Sequence, residues 1–91
     1  MSNFSQYSRD LNQTRTDFLM TELSLGLTFA GIALGSDDEA KTKRNCKNAR
    51  NAYDSLVRFI GQVALTPADS LRLTQGMELL KSQLQTLGET F

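Results

Sequence analysis

The chain contains no histidine, so the commonest general base and the commonest metal ligand are both missing. Its single cysteine, Cys46, has no partner for an intramolecular disulfide, which points to a reducing compartment. One proline, Pro67, interrupts 91 residues, and no useful stretch alternates apolar and polar residues as a strand does. Charge of one sign is also lacking. Ten basic residues cancel ten acidic ones, against the basic excess usual in a nucleic-acid module.

Long apolar runs are scarce. The longest uncharged one, residues 23–36, falls short of the ~18 residues of a membrane span and includes Ser24, Thr28, Gly26, Gly31 and Gly35. Near the N-terminus, Arg9, Asp10, Arg15 and Asp17 stand where a secretion signal needs an apolar region. A cytoplasmic protein with no membrane span is the expectation. A chain of this length makes one domain, 1–91, burying a little over ~60% of the surface its unfolded form exposes.

What is present is helical periodicity. Phe4, Leu11, Phe18, Leu25 and Ile32 recur every seven residues, predicting a first helix over 4–34 with that stripe as its apolar face. The weak helix formers around Asn12, Thr14 and Thr16 invite a break that would leave 1–15 as a short arm. Gly35 suits a left-handed helix stop, and Ser36 with Glu39 has capping-box spacing. Asp37, Asp38 and Glu39 complement the positive end of a second helix over 37–64. That helix carries Cys46, Ala49, Tyr53, Leu56, Ile60 and Val63 as its stripe, widened by Ala52, Val57 and Phe59.

Thr66 as N-cap, Pro67 at the first helical position and Asp69 start a third helix over 67–87, which Gly88 stops. Leu73, Met77, Leu80, Leu84 and Leu87 form its face, widened by Leu71 and Leu79. The fold class is all-α, an elongated antiparallel three-helix bundle. Pairing residues across a turn between Gly35 and Ser36 sets Glu22 against Ala49, Gly26 against Asn45 and Gly31 against Ala40. Across the second turn, Leu87 falls opposite Arg44.

Few residues offer chemistry. Lys43, Arg44, Lys47 and Arg50, with Lys41 nearby, form a candidate patch for phosphate or an acidic partner. The competing reading is a solvated face offset by Asp37, Asp38 and Glu39, and no aromatic is interleaved to stack on bases. Asn45, Asn48 and Asn51 are poor interior helix residues, so they read either as an interhelical ladder or as tolerated exposed positions. Glu22 stands alone among apolar residues. A raised-pKa acid is one reading, and an ion pair with Arg50 or a bond from the amide of Asn45 or Asn48 is the favoured one. Cys46 lies on an apolar stripe with no base beside it and reads as a small hydrophobe. No catalytic residue, metal ligand or cofactor site is expected.

Opposite the end of the third helix, Leu27, Phe29, Ile32, Ala33 and Leu34 make the first hairpin's tip strongly apolar. They are the expected interface, either with a second copy in a homodimer or with another helical protein. Phe91, folding back within the chain, is the rival cover.

The segment Asn48-Ala49-Arg50-Asn51-Ala52-Tyr53-Asp54, with Leu65-Thr66-Pro67 and residues 84–89, resembles short helical bacterial proteins of uncharacterised function. The likeness covers residues 21–89 and implies a bacterial, helical, cytosolic protein without a transferable activity. Leu25-Gly26 followed by Phe29 also resembles the first helix of a tetratricopeptide repeat. The second helix lacks the matching small residues and only one unit would fit, which excludes that fold. The expected role is a non-enzymatic helical interaction or structural protein. The alternative is a nucleic-acid or phosphate-binding module using the basic face.

Overall fold

Three threonines that could have broken the first helix stay inside it by turning their hydroxyls onto the preceding turn. Thr14, Thr16 and Thr28 donate to the carbonyls of Asp10, Asn12 and Ser24 at 3.0, 3.0 and 2.9 Å. A computed structural model describes residues 3–91, with side chains described at residue 6 and from residue 8 onward. In it α1 runs unbroken over Asn3–Gly35. The break expected at 12–16 is absent because Asn12 gains a partner there. Its amide donates to the Ala64 carbonyl at 2.7 Å and accepts from the Ala64 N–H at 3.1 Å. Helix α2 spans Glu39–Phe59 and ends in a 3₁₀ turn, Ile60–Gln62; α3 spans Pro67–Thr86.

The cap of α2 falls two residues later than the sequence suggests. Gly35 remains helical, so Ser36 still belongs to the turn, where its hydroxyl accepts from the Asp38 N–H at 3.1 Å. Asp38 is the N-cap, accepting from Ala40 at 3.0 Å and Lys41 at 3.4 Å. Glu39 pairs with Lys43 at 3.3 Å instead of closing a box. The start of α3 is as expected: Thr66 accepts from the Asp69 N–H at 3.1 Å, with Pro67 in the first turn. Gly88, at φ 100°, closes α3 in a Schellman motif, with Glu89 N–H on Leu84 at 2.9 Å and Gly88 N–H on Gln85 at 3.0 Å.

The core draws on all three helices: Leu19, Leu23 and Ala30; Ala49 and Leu56; Leu73, Leu80 and Leu84. On α1 the inward seam is Thr16, Leu19, Leu23, Gly26, Ala30 and Ala33, spaced alternately three and four. The stripe expected to face the core points out instead. Leu11 is 39% exposed, Phe18 46%, Leu25 43% and Ile32 37%; Phe4 lies outside the described side chains. Val57, Leu71 and Leu79, taken as widening their helices' apolar faces, are also exposed.

Small residues decide which seam packs. A Cβ on Gly26 would stand 2.7 Å from Leu80 and 3.2 Å from Ala52, and one on Gly76 would collide with Leu23. Leucine and glycine thus interlock reciprocally between α1 and α3. Gly26 meets Ala52 rather than Asn45, and Phe18 meets Phe59 edge-on at 6.1 Å. The α1–α2 register is therefore displaced by about two helical turns from the simple hairpin count. Gly31 faces open space, not Ala40. Between α2 and α3 the level agrees with the count to within a turn, since Leu87 shares a cleft with Lys43, Cys46 and Lys47, though not with Arg44 itself. The bundle measures 58 × 19 × 17 Å.

One exclusion drawn from the sequence needs correcting. Within Ser8–Gly35, α1 is long and apolar enough by length and composition to cross a membrane. Counting only uncharged residues missed this, because Glu22 interrupts the stretch without lowering its hydropathy much. Its inner seam packs on α2 and α3, and only 28% of its most apolar 18-residue window is buried, which leaves much apolar surface outward.

Two outcomes follow for stability. Replacing Thr66 with alanine should cost about 1 kcal/mol and lower the thermal midpoint by roughly 4–8 °C. Gly31→Ala should raise stability by up to about 1 kcal/mol, since helix propensity improves and nothing is displaced. Gly76→Ala should lower it, because Leu23 must shift; equal denaturant midpoints for the two alanine variants would contradict the interlock.

Candidate interaction surface

The outward face of α1 has a second helical seam. Leu11, Arg15, Phe18, Glu22, Leu25, Phe29 and Ile32 alternate at spacings of four and three, parallel to the buried seam. Phe29 is half-buried, Arg15 is exposed, and the four stripe residues stand out between them. Two depressions flank this seam where it meets α2. One of about 370 Å³ is lined by Thr14, Arg15, Phe18, Leu19, Phe59, Gln62 and Val63. Another of about 240 Å³ is lined by Glu22, Leu25, Phe29, Asn48, Asn51, Ala52 and Ser55.

Glu22 is half-buried in the second depression and, among the described residues, makes no ion pair or hydrogen bond. The expected clasp by Arg50 does not form, because Arg50 is engaged elsewhere. Its guanidinium bonds Asp54 at 3.0 Å, Glu89 at 3.2 Å and the Thr90 carbonyl at 2.8 Å. Asn45 spends its amide on the Lys41 carbonyl at 2.9 Å, while Asn48 and Asn51 are exposed. No interhelical asparagine ladder forms among the described residues.

The five residues expected at the hairpin tip do not make one patch. Ala33 is buried, and Leu27 and Phe29 are half-buried against the core. Ile32 and Leu34 are exposed but point apart, since two residues turn a helix by about 200°. Ile32 instead continues the line of Leu11, Phe18 and Leu25. Phe91 does not cover the tip either. It packs edge-on to Tyr53 at 5.0 Å, under Arg50 at 4.1 Å and near Lys81 at 5.3 Å.

On the basic face, Lys43, Arg44 and Lys47 are exposed, and Lys43 is paired with Glu39. Arg50 is half-buried and bonded to the tail, yet it lines one depression together with Lys43 and Lys47, while Arg44 is not among the residues lining it. A depression of about 300 Å³ lies between Lys43, Cys46, Lys47 and Glu89. Burial pushes the Cys46 thiol above its ordinary range, the Glu89 charge adds to this, and Arg50 opposes it. The hydrogen bond to Asp54, with the charges of Asp54 and Glu89, holds Arg50 protonated against the smaller opposing effect of burial. Cys46 packs against the core as a small apolar side chain. Among the described residues no group of three or more Cys, Asp or Glu side chains could hold a metal ion.

Sequence reasoning missed the tail clamp. Its signal was a terminal aromatic after an acid, which gains meaning only once Gly88 is known to reverse the chain toward Arg50.

A raised thiol pKa leaves less thiolate at neutral pH, so Cys46 should alkylate more slowly than free cysteine. Glu89→Gln removes one raising charge and should speed maleimide labelling at pH 7; an unchanged rate would mean that burial alone protects the thiol.

No family model matches the chain, and no curated protein or solved structure matches it.

Proposed function

We propose that this chain is a non-enzymatic helical interaction protein of the bacterial cytoplasm, engaging a second copy or another helical protein through the outer face of α1. The observation that carries the reading is the exposed line Leu11, Phe18, Leu25 and Ile32. Apolar side chains aligned along several turns of one helix and left partly exposed are the usual mark of a protein interface.

Membrane insertion is the main competitor for the same surface. It would strip the inner seam of Leu19, Leu23 and Ala30 from the core. It would also carry Glu22 into hydrocarbon at a cost of several kcal/mol. Docking against protein needs neither change.

An anion-binding role for Lys43, Arg44 and Lys47 is the second reading, favoured by the depression that Lys43 and Lys47 help to line. The pairing of Lys43 with Glu39 and the loss of Arg50 to the tail reduce the charge this face can offer.

The test is Leu25→Glu. It should keep the helical circular dichroism and shift stability by no more than about 0.5 kcal/mol, as exposed substitutions do. Self-association, or binding to a purified helical partner, should be lost. A variant that associates like the native chain would sink the α1 reading. Salt-sensitive polyanion binding that Lys47→Glu removes would transfer support to the basic face.

A further inference from the structure

The outer seam of α1 has a symmetry of its own. Leu11 and Leu25 lie equally far from Phe18, so a half-turn about an axis beside Phe18 exchanges Leu11 with Leu25 and returns Phe18 to its own level. Phe18 then meets Phe18 of a second copy, and Leu11 meets Leu25. The same operation places Glu22 of one copy level with residue 14 of the other, within one residue, about 1.5 Å of rise, of Arg15.

We infer that the α1 face is covered by a second copy of this chain, docked antiparallel about an axis beside Phe18, with Arg15 of each copy paired to Glu22 of the other. This rests on the reading of α1 as an interaction face and specifies its occupant and geometry.

Charge selects the direction. A parallel, in-register pair would set Arg15 on Arg15 and Glu22 on Glu22, like charges along the whole contact. The antiparallel arrangement makes two opposite-charge contacts from the same four groups. Neither side chain is otherwise committed: among the described residues Arg15 and Glu22 form no ion pair within the chain. Glu22 is already half-buried, so a cation from a second copy would complete its surroundings.

Shape agrees with charge at the axis. The depression of about 370 Å³ beside Phe18 is walled by Leu19, Phe59 and Val63, with Arg15 at its rim. It can admit the Phe18 ring of the other copy, and Phe18, set edge-on to Phe59, remains 46% exposed beside it. Along the α2 side, Asn48, Asn51 and Ser55 line the neighbouring depression beside Glu22, so the α2 wall there adds no charge of its own.

The experiment is sedimentation equilibrium on the full chain, joined to spin-label distances. Arg15→Glu and Glu22→Arg should each weaken dimerisation by about tenfold or more, since each reversal turns two attractions into repulsions. The double swap should restore the native constant, which shows that the single variants failed through charge and not through folding. Circular dichroism of all three checks the fold.

With Cys46→Ser as background, a nitroxide at Thr28 should give an intermolecular distance roughly 15 Å longer than one at Thr21. A parallel dimer would give equal distances. A dimer indifferent to the swaps, or one with equal distances, overturns the arrangement while leaving α1 as an interaction face. A native chain that stays monomeric at high micromolar concentration also overturns it. The broader reading then stands only if a different helical partner binds in a Leu25-dependent way. A monomer that co-sediments with vesicles of neutral and anionic lipid overturns both.

Discussion

The bundle depends on the reciprocal insertion of leucine into glycine between its first and third helices. Leu80 occupies the space a side chain at Gly26 would need, and Leu23 does the same at Gly76. Both leucines belong to the core, so neither can swing aside without opening a cavity. This lock sets the level of α3 along α1. Since α2 connects them by short turns, its level is set too. Part of the roughly two-turn displacement of the first hairpin is the visible result. The turn at residues 36–38 would by itself set Gly26 level with Asn48, and Gly26 lies a further turn along, against Ala52.

Choosing that seam leaves α1 with more apolar surface than two neighbours can cover. A helix can turn one broad stripe toward its partners, and α1 has two, offset around its circumference. The stripe built from smaller residues wins the interior because it permits close backbone approach. The bulkier one, led by Phe18 and Leu25, is left outside. The same asymmetry explains why α1 resembles a membrane span by composition although its inner face is committed to the bundle. The basic face of α2 behaves in the opposite way. Its most buried cation, Arg50, is drawn into the tail, leaving shorter-range pairs and solvated charges behind.

Much of the fold was legible because local chemistry encodes it. Thr66, Pro67 and Asp69 name the start of α3, and Gly88 names its end; each acts within a few residues of itself. The three helices and the α2–α3 level follow from spacing and turn length. The inward seam of α1 was not legible, because hydropathy ranks phenylalanine and leucine above glycine and alanine while packing reverses that order here. Nor was the continuity of α1, which draws on Asn12 meeting Ala64, a residue 52 positions away. Of the surface, Ile32 and Leu34 are both exposed, but their membership in different faces needs helical geometry. Arg50 was assigned to Glu22, whereas it holds Asp54, four residues on and within reach of helical spacing, and Glu89, 39 positions distant and met only after the chain reverses.

The two-point contact between Asn12 and Ala64 gives the protein a built-in gauge of its own motions. The Ala64 N–H donates to a side chain on another element, in a connection outside any regular helix. Solvent can therefore capture that proton when α1 lifts away, even while α2 and α3 remain folded. Helical amides report the opening of their own turns, whereas this one reports the parting of two elements. Its hydrogen-exchange rate, compared with that of amides in the middle of α3, separates undocking of the first helix from global unfolding. Anything that clamps α1 from outside should slow that single exchange without having to touch Ala64.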